Sequence, residues 1–240
     1  FSPQIHRTIF LIALAALGGG MLLGTVPTSV PQFVLFGNWL LEGDFKNKWR
    51  IIKSNKLIWI LSSVFIIHLT GLIHTADIQR GIDDIRIKIP LQLLPLVFFT
   101  SAPLRKSELN RLLWFIILLV VISSLWCLYY NATHELTDIR KASRFMSHIR
   151  FGLFIDFAIC ILFYLSIQTE AKSVKMLTLF LIIYLIVVML TLSMVTGLVM
   201  FALLCVVYFV YLLFRQKSIY RIAGIAVLLF LFLFGLNIIN

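Results

Sequence analysis

The chain has 240 residues, of which 61% are hydrophobic and only 13% are charged, and its formal net charge is +11. Globular domains contain about 25% charged residues, so this chain has too few polar side chains to cover a surface that faces water. The composition excludes a cytosolic enzyme, a disordered tail, a disulfide scaffold and a nucleic-acid-binding module. It predicts an all-α, polytopic transmembrane helix bundle.

Nine apolar runs are candidate membrane spans, because a bilayer core about 30 Å thick needs roughly 20 apolar residues per helix. The second and fourth runs are the weakest, since both contain two prolines and the fourth has only 14 residues. Each of these two is either a re-entrant segment or a kinked, tilted helix. The runs cover residues 8–23, 26–41, 57–74, 89–102, 112–130, 151–167, 176–192, 197–214 and 222–239.

The connecting segments alternate between two sides of the predicted bundle, and their charges differ. One side holds 14 basic residues and four acids, whereas the other holds seven basic residues and five acids. Cytoplasmic loops carry an excess of Lys and Arg, so the first side is predicted to be cytoplasmic. This orientation places the N-terminus inside the cell and residue 240 outside.

Cys127, Cys160 and Cys205 all lie within apolar runs, where cysteine behaves as a small hydrophobic residue. Their number is odd and their spacing fits no metal-binding motif. We therefore expect neither a disulfide nor a zinc site.

Two basic clusters fall on the side predicted to face outward. Arg86 and Lys88 alternate with isoleucines before the fourth run, and a second cluster precedes the sixth run and shares a helix face at positions 140 and 144. One interpretation is that these side chains reach up to lipid phosphates. The other is a site for an anionic lipid-linked substrate, because a guanidinium is a planar, always charged partner for phosphate oxygens. The second cluster consists of Arg140, Lys141, Arg144 and Arg150.

Asp156 is the one acid that falls within a predicted span, and such residues usually face the bundle interior or a wet cavity. Helical spacing puts it on a different face from Arg150, so its partner would be Ser62, Ser166 or a cation on another helix. His148 precedes Arg150 by two residues and is interpreted as an interfacial structural residue or a substrate contact. Asp156 and His148 together form a possible intramembrane polar site.

Three segments resemble the O-antigen ligase and O-antigen polymerase family: residues 37–43 (GNWLLEG), 84–91 (DIRIKIPL) and 147–152 (SHIRFG). The similarity covers nearly the whole chain. It implies a bacterial inner-membrane glycosyltransferase of a helical, GT-C-like fold that works without a metal or other cofactor. The implied reaction moves a glycan from undecaprenyl pyrophosphate to lipid A core or to another glycan on the periplasmic side. Membrane lipids are the other expected partners.

The resemblance also implies roles for individual residues. Arg150 matches the family's arginine at the outer start of a core helix, and Arg86 with Lys88 matches a basic patch ahead of the fourth span. Together with Arg144, these are the candidate ligands of the pyrophosphate. The family often has an arginine in a later turn, where this chain has Val195.

The family's large periplasmic loop, with its catalytic histidine, has no counterpart in residues 1–240. We therefore expect these residues to form a single transmembrane domain that is the N-terminal portion of a longer protein. The general base would lie outside it, and this portion alone is expected to be inactive. Two other classes stay open: a membrane transporter or channel, although no internal repeat is evident, and a non-catalytic membrane assembly partner.

Overall fold

The computed structural model describes residues 2–134, 139–143 and 146–215, and all regular structure within these ranges is helical. Short 3-10 turns cover Leu72–His74 and Ile139–Ala142. The chain divides into two compact units, Phe1–Leu119 and Val120–Asn240, and α6 contributes residues to both. The α-helices are α1 Pro3–Leu23, α2 Thr25–Glu42, α3 Phe45–Ser54, α4 Lys56–Gly71, α5 Ile78–Thr100, α6 Lys106–Thr133, α7 His148–Gln168, α8 Lys172–Thr191 and α9 Val195–Arg215.

Five helices of the described part are long and apolar enough to cross a membrane: α1, α4 with the turn that follows it, α6, α7 and α8. α9 contributes a shorter apolar stretch, Val195–Tyr211. Within the described residues the prediction of an all-helical chain is confirmed, and the lengths and composition of these helices fit a membrane protein. The count of nine spans and the orientation stay predictions, and the ninth run, 222–239, lies outside the described residues.

The two weakest predicted spans form continuous helices. α2 passes through Pro31, and α5 passes through Pro90 and Pro95. α5 also begins 11 residues before the predicted run, because the Asp77 carboxylate caps it by accepting a hydrogen bond of 3.0 Å from the Arg80 amide. The basic segment 84–91 is therefore part of a helix and not a loop at the mouth of a span.

The basic segment that connects the second and third predicted spans also contains a helix, α3. Gly43 and Asp44 both have positive φ angles, 72° and 52°, and this left-handed pair separates α2 from α3. α3 then buries Lys48 and Ile52, which are four residues apart and therefore lie on one face. This charged segment is therefore an amphipathic helix with a narrow buried face.

In the first unit, α1 and α2 form an antiparallel hairpin that turns at Gly24, where φ is 123° and glycine is favoured. Three residues of α1 form the core with Leu35 of α2 and Val97 of α5. Between membrane helices such side chains stabilise the pair through close van der Waals packing. The three α1 residues are Phe10, Ala13 and Leu17.

Polar side chains join four helix ends of this unit in a cluster that we call the polar junction. Asn38 Oδ1 lies 2.8 Å from His6 Nδ1, and Asn38 Nδ2 donates to the His6 carbonyl at 3.1 Å. Trp39 Nε1 donates to Thr100 Oγ1 at 2.7 Å. The polar junction consists of His6, Arg7, Asn38, Trp39, Thr100 and Glu108.

Arg7 completes the polar junction from the start of α1. Its guanidinium donates to the carbonyl oxygens of Ala102 and Pro103 at 2.7 and 2.9 Å and forms an ion pair with Glu108. Glu108 also accepts a hydrogen bond from the Arg105 amide at 2.8 Å. The start of α1, the end of α2 and the α5–α6 connection therefore meet at one end of the unit.

In the second unit, α7 is the central helix, and nine of its residues are buried. α7 and α9 approach closely at Gly152 and Gly197, since a Cβ atom on Gly152 would lie 3.3 Å from the Gly197 Cα. Such close contact between small residues is typical of packed membrane helices. Ser124 Oγ of α6 and Tyr184 Oη of α8 lie 2.9 Å apart and hydrogen bond.

Candidate functional site

The start of α7 carries the first candidate residue, Arg150. The hydroxyl of Ser147 caps this helix by accepting a hydrogen bond of 3.4 Å from the Arg150 amide. The Arg150 side chain is exposed on the first turn, and within the described part of the chain it forms no ion pair. A helix N-terminus carries partial positive charge, so this end of α7 favours an anion.

His148 lies on the same turn and is half-buried. Its Nδ1 atom is 3.1 Å from Ser143 Oγ, which ties the start of α7 to the segment that follows the 3-10 turn. Its Nε2 atom is buried and has no hydrogen-bond partner among the described residues. An imidazole held through one nitrogen can offer the other to a ligand.

Two residues of the second basic cluster lie on the short 3-10 turn Ile139–Ala142. Arg140 and Lys141 are exposed on the 3-10 turn, which ends at Ala142. Arg144, a predicted pyrophosphate ligand, lies outside the described residues.

The turn between α8 and α9 is held next to the start of α7 by the contact between Gly152 and Gly197. Met194 is buried beneath this turn and Ser193 has a positive φ of 50°, whereas Val195 is exposed. The turn in which the resemblance predicts an arginine is therefore packed against the start of α7, and the residue at the matching position, Val195, is exposed and uncharged.

Asp156 lies on the buried side of α7, with only 4% of its surface exposed. It follows Gly152 by one helical turn and so lies near the face that packs against α9. Both of its carboxylate oxygens are buried without a hydrogen-bond partner in the described part, so neither proposed serine partner is bonded to it. A carboxyl group in this environment is costly unless it is protonated or meets a ligand.

Arg86 and Lys88 lie on the first half of α5, in the first unit. Lys88 Nζ donates to Asp84 Oδ2 at 2.6 Å, and the two residues form an ion pair between positions one helical turn apart. This hydrogen bond is the main reason that the pKa of Asp84 lies below its usual value, and the charge attraction of Lys88 is the second. Arg86 is exposed and forms no such pair among the described residues, which makes it the more available of the two cations.

The segment 37–43, which carries part of the family resemblance, has a structural role here. Asn38 and Trp39 belong to the polar junction, and Glu42 pairs with buried Lys48 at 2.9 Å. Sequence reasoning missed these contacts. The available signal was the set of polar residues at the ends of otherwise apolar helices.

Comparison of the chain with described protein families, with curated proteins and with solved structures finds no match in any of the three. No cluster of three metal-ligating side chains occurs in the described ranges. The function has to be inferred from the chain's own residues.

Proposed function

We propose that this chain belongs to a bacterial inner-membrane glycosyltransferase resembling the O-antigen ligases and polymerases. The proposed reaction transfers a glycan from undecaprenyl pyrophosphate to lipid A core or to another glycan on the periplasmic side. The observation that carries the proposal is the exposed Arg150 at the N-terminus of α7, which has no acidic partner among the described residues.

The charge around Arg150 supports an anionic ligand. Residues 139–155 contain no acid, and they contain four Arg or Lys residues and one His. A pyrophosphate leaving group departs more easily when its developing negative charge is stabilised, and fixed guanidinium groups at low dielectric do this strongly. The amides at the start of α7 add oriented N–H donors to the same region.

Arg150 has the role of binding the pyrophosphate, and His148 supports it. His148 precedes Arg150 by two residues on the same first turn of α7, and its Nδ1 contact with Ser143 Oγ positions the start of this helix. Arg86, Lys88 and Arg144 are proposed as further pyrophosphate ligands. The general base that activates the acceptor hydroxyl is not assigned to a residue of this chain.

The test is the Arg150→Ala substitution in the full-length gene, expressed in a strain that lacks its own copy. We expect surface glycan to fall about a hundredfold, because a charge-stabilising donor is removed. Arg150→Lys should restore part of the activity, since it keeps the charge but loses the planar fork. Membrane levels of each variant are measured by immunoblot.

Arg111→Ala is the matched control, because Arg111 is also exposed near the start of an apolar helix and, within the described ranges, donates to the Ser107 carbonyl at 3.3 Å and forms no ion pair. Glycan should stay at the wild-type level in this variant. Normal glycan in a well-expressed Arg150→Ala strain would contradict the proposal.

One observation favours a second class, an ion transporter: the carboxyl of Asp156 inside α7, which has no hydrogen-bond partner among the residues that the structure describes. Ion-coupled transporters place such groups in their pathways. The purified full-length protein in proteoliposomes distinguishes the two classes. Ion uptake that Asp156→Asn abolishes and Arg150→Ala leaves intact would replace the glycosyltransferase proposal.

A further inference from the structure

The exposed side of α3 forms a cationic and aromatic surface. Lys46, Arg50 and Lys53 follow one another at spacings of four and three residues, so they make a single stripe along the helix, and all three are exposed. Phe45 and Trp49 are four residues apart and form a parallel pair, with 53% and 56% of their surfaces exposed. Residues 45–76 contain no acid at all.

The opposite side of α3 is fixed to the rest of the unit. Buried Lys48 donates to the Trp39 carbonyl at 2.7 Å and pairs with Glu42, and its Nζ lies 4.7 Å from the centre of the Trp39 ring. Trp59 Nε1 of α4 donates to the Ile52 carbonyl at 3.0 Å. These contacts hold the stripe in place before any ligand binds, which lowers the entropic cost of binding.

Three surfaces follow one another around α3: the buried face, the aromatic pair and the cationic stripe. The aromatic pair lies between the buried face of α3 and the cationic stripe, and Lys53 Nζ is 5.3 Å from the centre of the Trp49 ring. Aromatic side chains favour the membrane interface, where their rings meet the acyl boundary. Lys and Arg beside them reach the phosphate groups.

The position of α3 along the chain sets its depth. α4, a helix long and apolar enough to cross a membrane, begins at Lys56, two residues after α3 ends. α3 therefore lies where a membrane span emerges into the headgroup layer. We propose that α3 is a docking surface for the anionic headgroups of phospholipids in the membrane that holds the protein.

The test uses full-length protein in nanodiscs of phosphatidylcholine that contain a minority of phosphatidylglycerol with a photoreactive headgroup. After irradiation, mass spectrometry locates the lipid adducts on peptides of the chain. Wild-type protein should carry adducts within residues 45–56. The Lys46→Gln/Arg50→Gln variant should reduce them about fivefold, because each cation near an anionic surface adds to lipid affinity.

Lys172→Gln/Lys175→Gln is the matched control. It removes the same charge from exposed positions at the start of α8, where no aromatic pair accompanies the cations. This variant should keep the adducts on residues 45–56. An equal loss in both variants would overturn the proposal, because it would show an effect of net charge alone.

Competition separates a lipid surface from a soluble ligand. Inorganic phosphate and glycerophosphoglycerol should leave the adducts unchanged, because neither presents an interface to Phe45 and Trp49. Complete displacement by either compound, or labelling that persists in Lys46→Gln/Arg50→Gln, would overturn the proposal. None of these residues takes part in the Arg150 site, so this inference and the proposed function can fail separately.

Discussion

Two arginines near the starts of apolar helices behave differently in the two units. Arg7 of α1 donates to two backbone carbonyls and pairs with Glu108, whereas Arg150 of α7 is exposed and has no acidic partner in the described part. The two carboxyl groups differ in the same way. Glu108 accepts from Arg7 and from the Arg105 amide, while both oxygens of Asp156 are buried without a partner.

The difference separates structural polar groups from groups available to a ligand. A polar side chain whose hydrogen bonds are made within the protein stabilises the fold. Its removal lowers the free energy of unfolding, because its former partner is left without a hydrogen bond. A polar side chain left open has no such role in the fold. Open groups in an apolar chain are therefore the better candidates for function.

The largest expected effects come from replacing each of the two arginines with alanine. Arg150→Ala should lower glycan transfer about a hundredfold and leave thermal unfolding in detergent unchanged. Arg7→Ala should instead lower the melting temperature, because Glu108 and two backbone carbonyls lose the donor that Arg7 provides. A lowered melting temperature for Arg150→Ala would break the comparison.

The next effect concerns the helix contact beneath Arg150. Gly152→Val should cost about 3 kcal/mol of unfolding free energy, because the new side chain meets the backbone of Gly197 rather than a flexible side chain. Gly37→Ala is the control, since a Cβ at that helical position meets nothing within 4 Å. It should be neutral or slightly stabilising in denaturant or thermal unfolding. Equal behaviour of the two variants would contradict the close contact of α7 and α9.

A smaller effect is expected within the polar junction. Asn38→Ala should cost about 2 kcal/mol, because it removes both buried hydrogen bonds between Asn38 and His6. Thermal unfolding in detergent measures the change. A variant as stable as the wild type would show that the polar junction is not what joins α1 to α2.

The smallest effect concerns the ion pair of α5. The depressed pKa of Asp84 means that the pair stabilises the folded chain above the usual value of 3.8 and that this contribution disappears as the pH falls through the lower, folded-state pKa. Because the pair is on the surface, Asp84→Asn should barely change stability at neutral pH and should slightly flatten its acid dependence. Asp83→Asn is the control, because it removes the same charge from an exposed position without an ion pair in the described part. Melting curves at a series of pH values make the comparison.

Much of the fold could be predicted from hydrophobic run lengths. Eight of the nine predicted runs coincide with helices of the structure, and the ninth, 222–239, lies outside the described residues. α3 and the first half of α5 were missed because both are rich in charge, and a charged segment beside a span reads as a loop. Each becomes helical through local contacts, a capping Asp77 for α5 and a buried Lys48 for α3.

The candidate site could be predicted only as a set of residue types. The sequence placed Arg150 and His148 on one turn, and the structure adds that Nε2 of His148 is unpartnered within the described ranges. It also shows that Lys88 is paired with Asp84 and that segment 37–43 serves the polar junction. Contacts of the polar junction depend on partners that are distant in the sequence, such as Arg7 and Glu108, which are 101 residues apart.

The sequence by itself determined that the chain is a helical membrane protein, because hydrophobicity is a property of each segment alone. It also determined which cations are numerous and where along the chain they fall. Only the tertiary structure decided which of them are satisfied, because a hydrogen bond or ion pair requires two groups that the fold brings together. The difference between Arg7 and Arg150 is therefore a property of packing and not of composition.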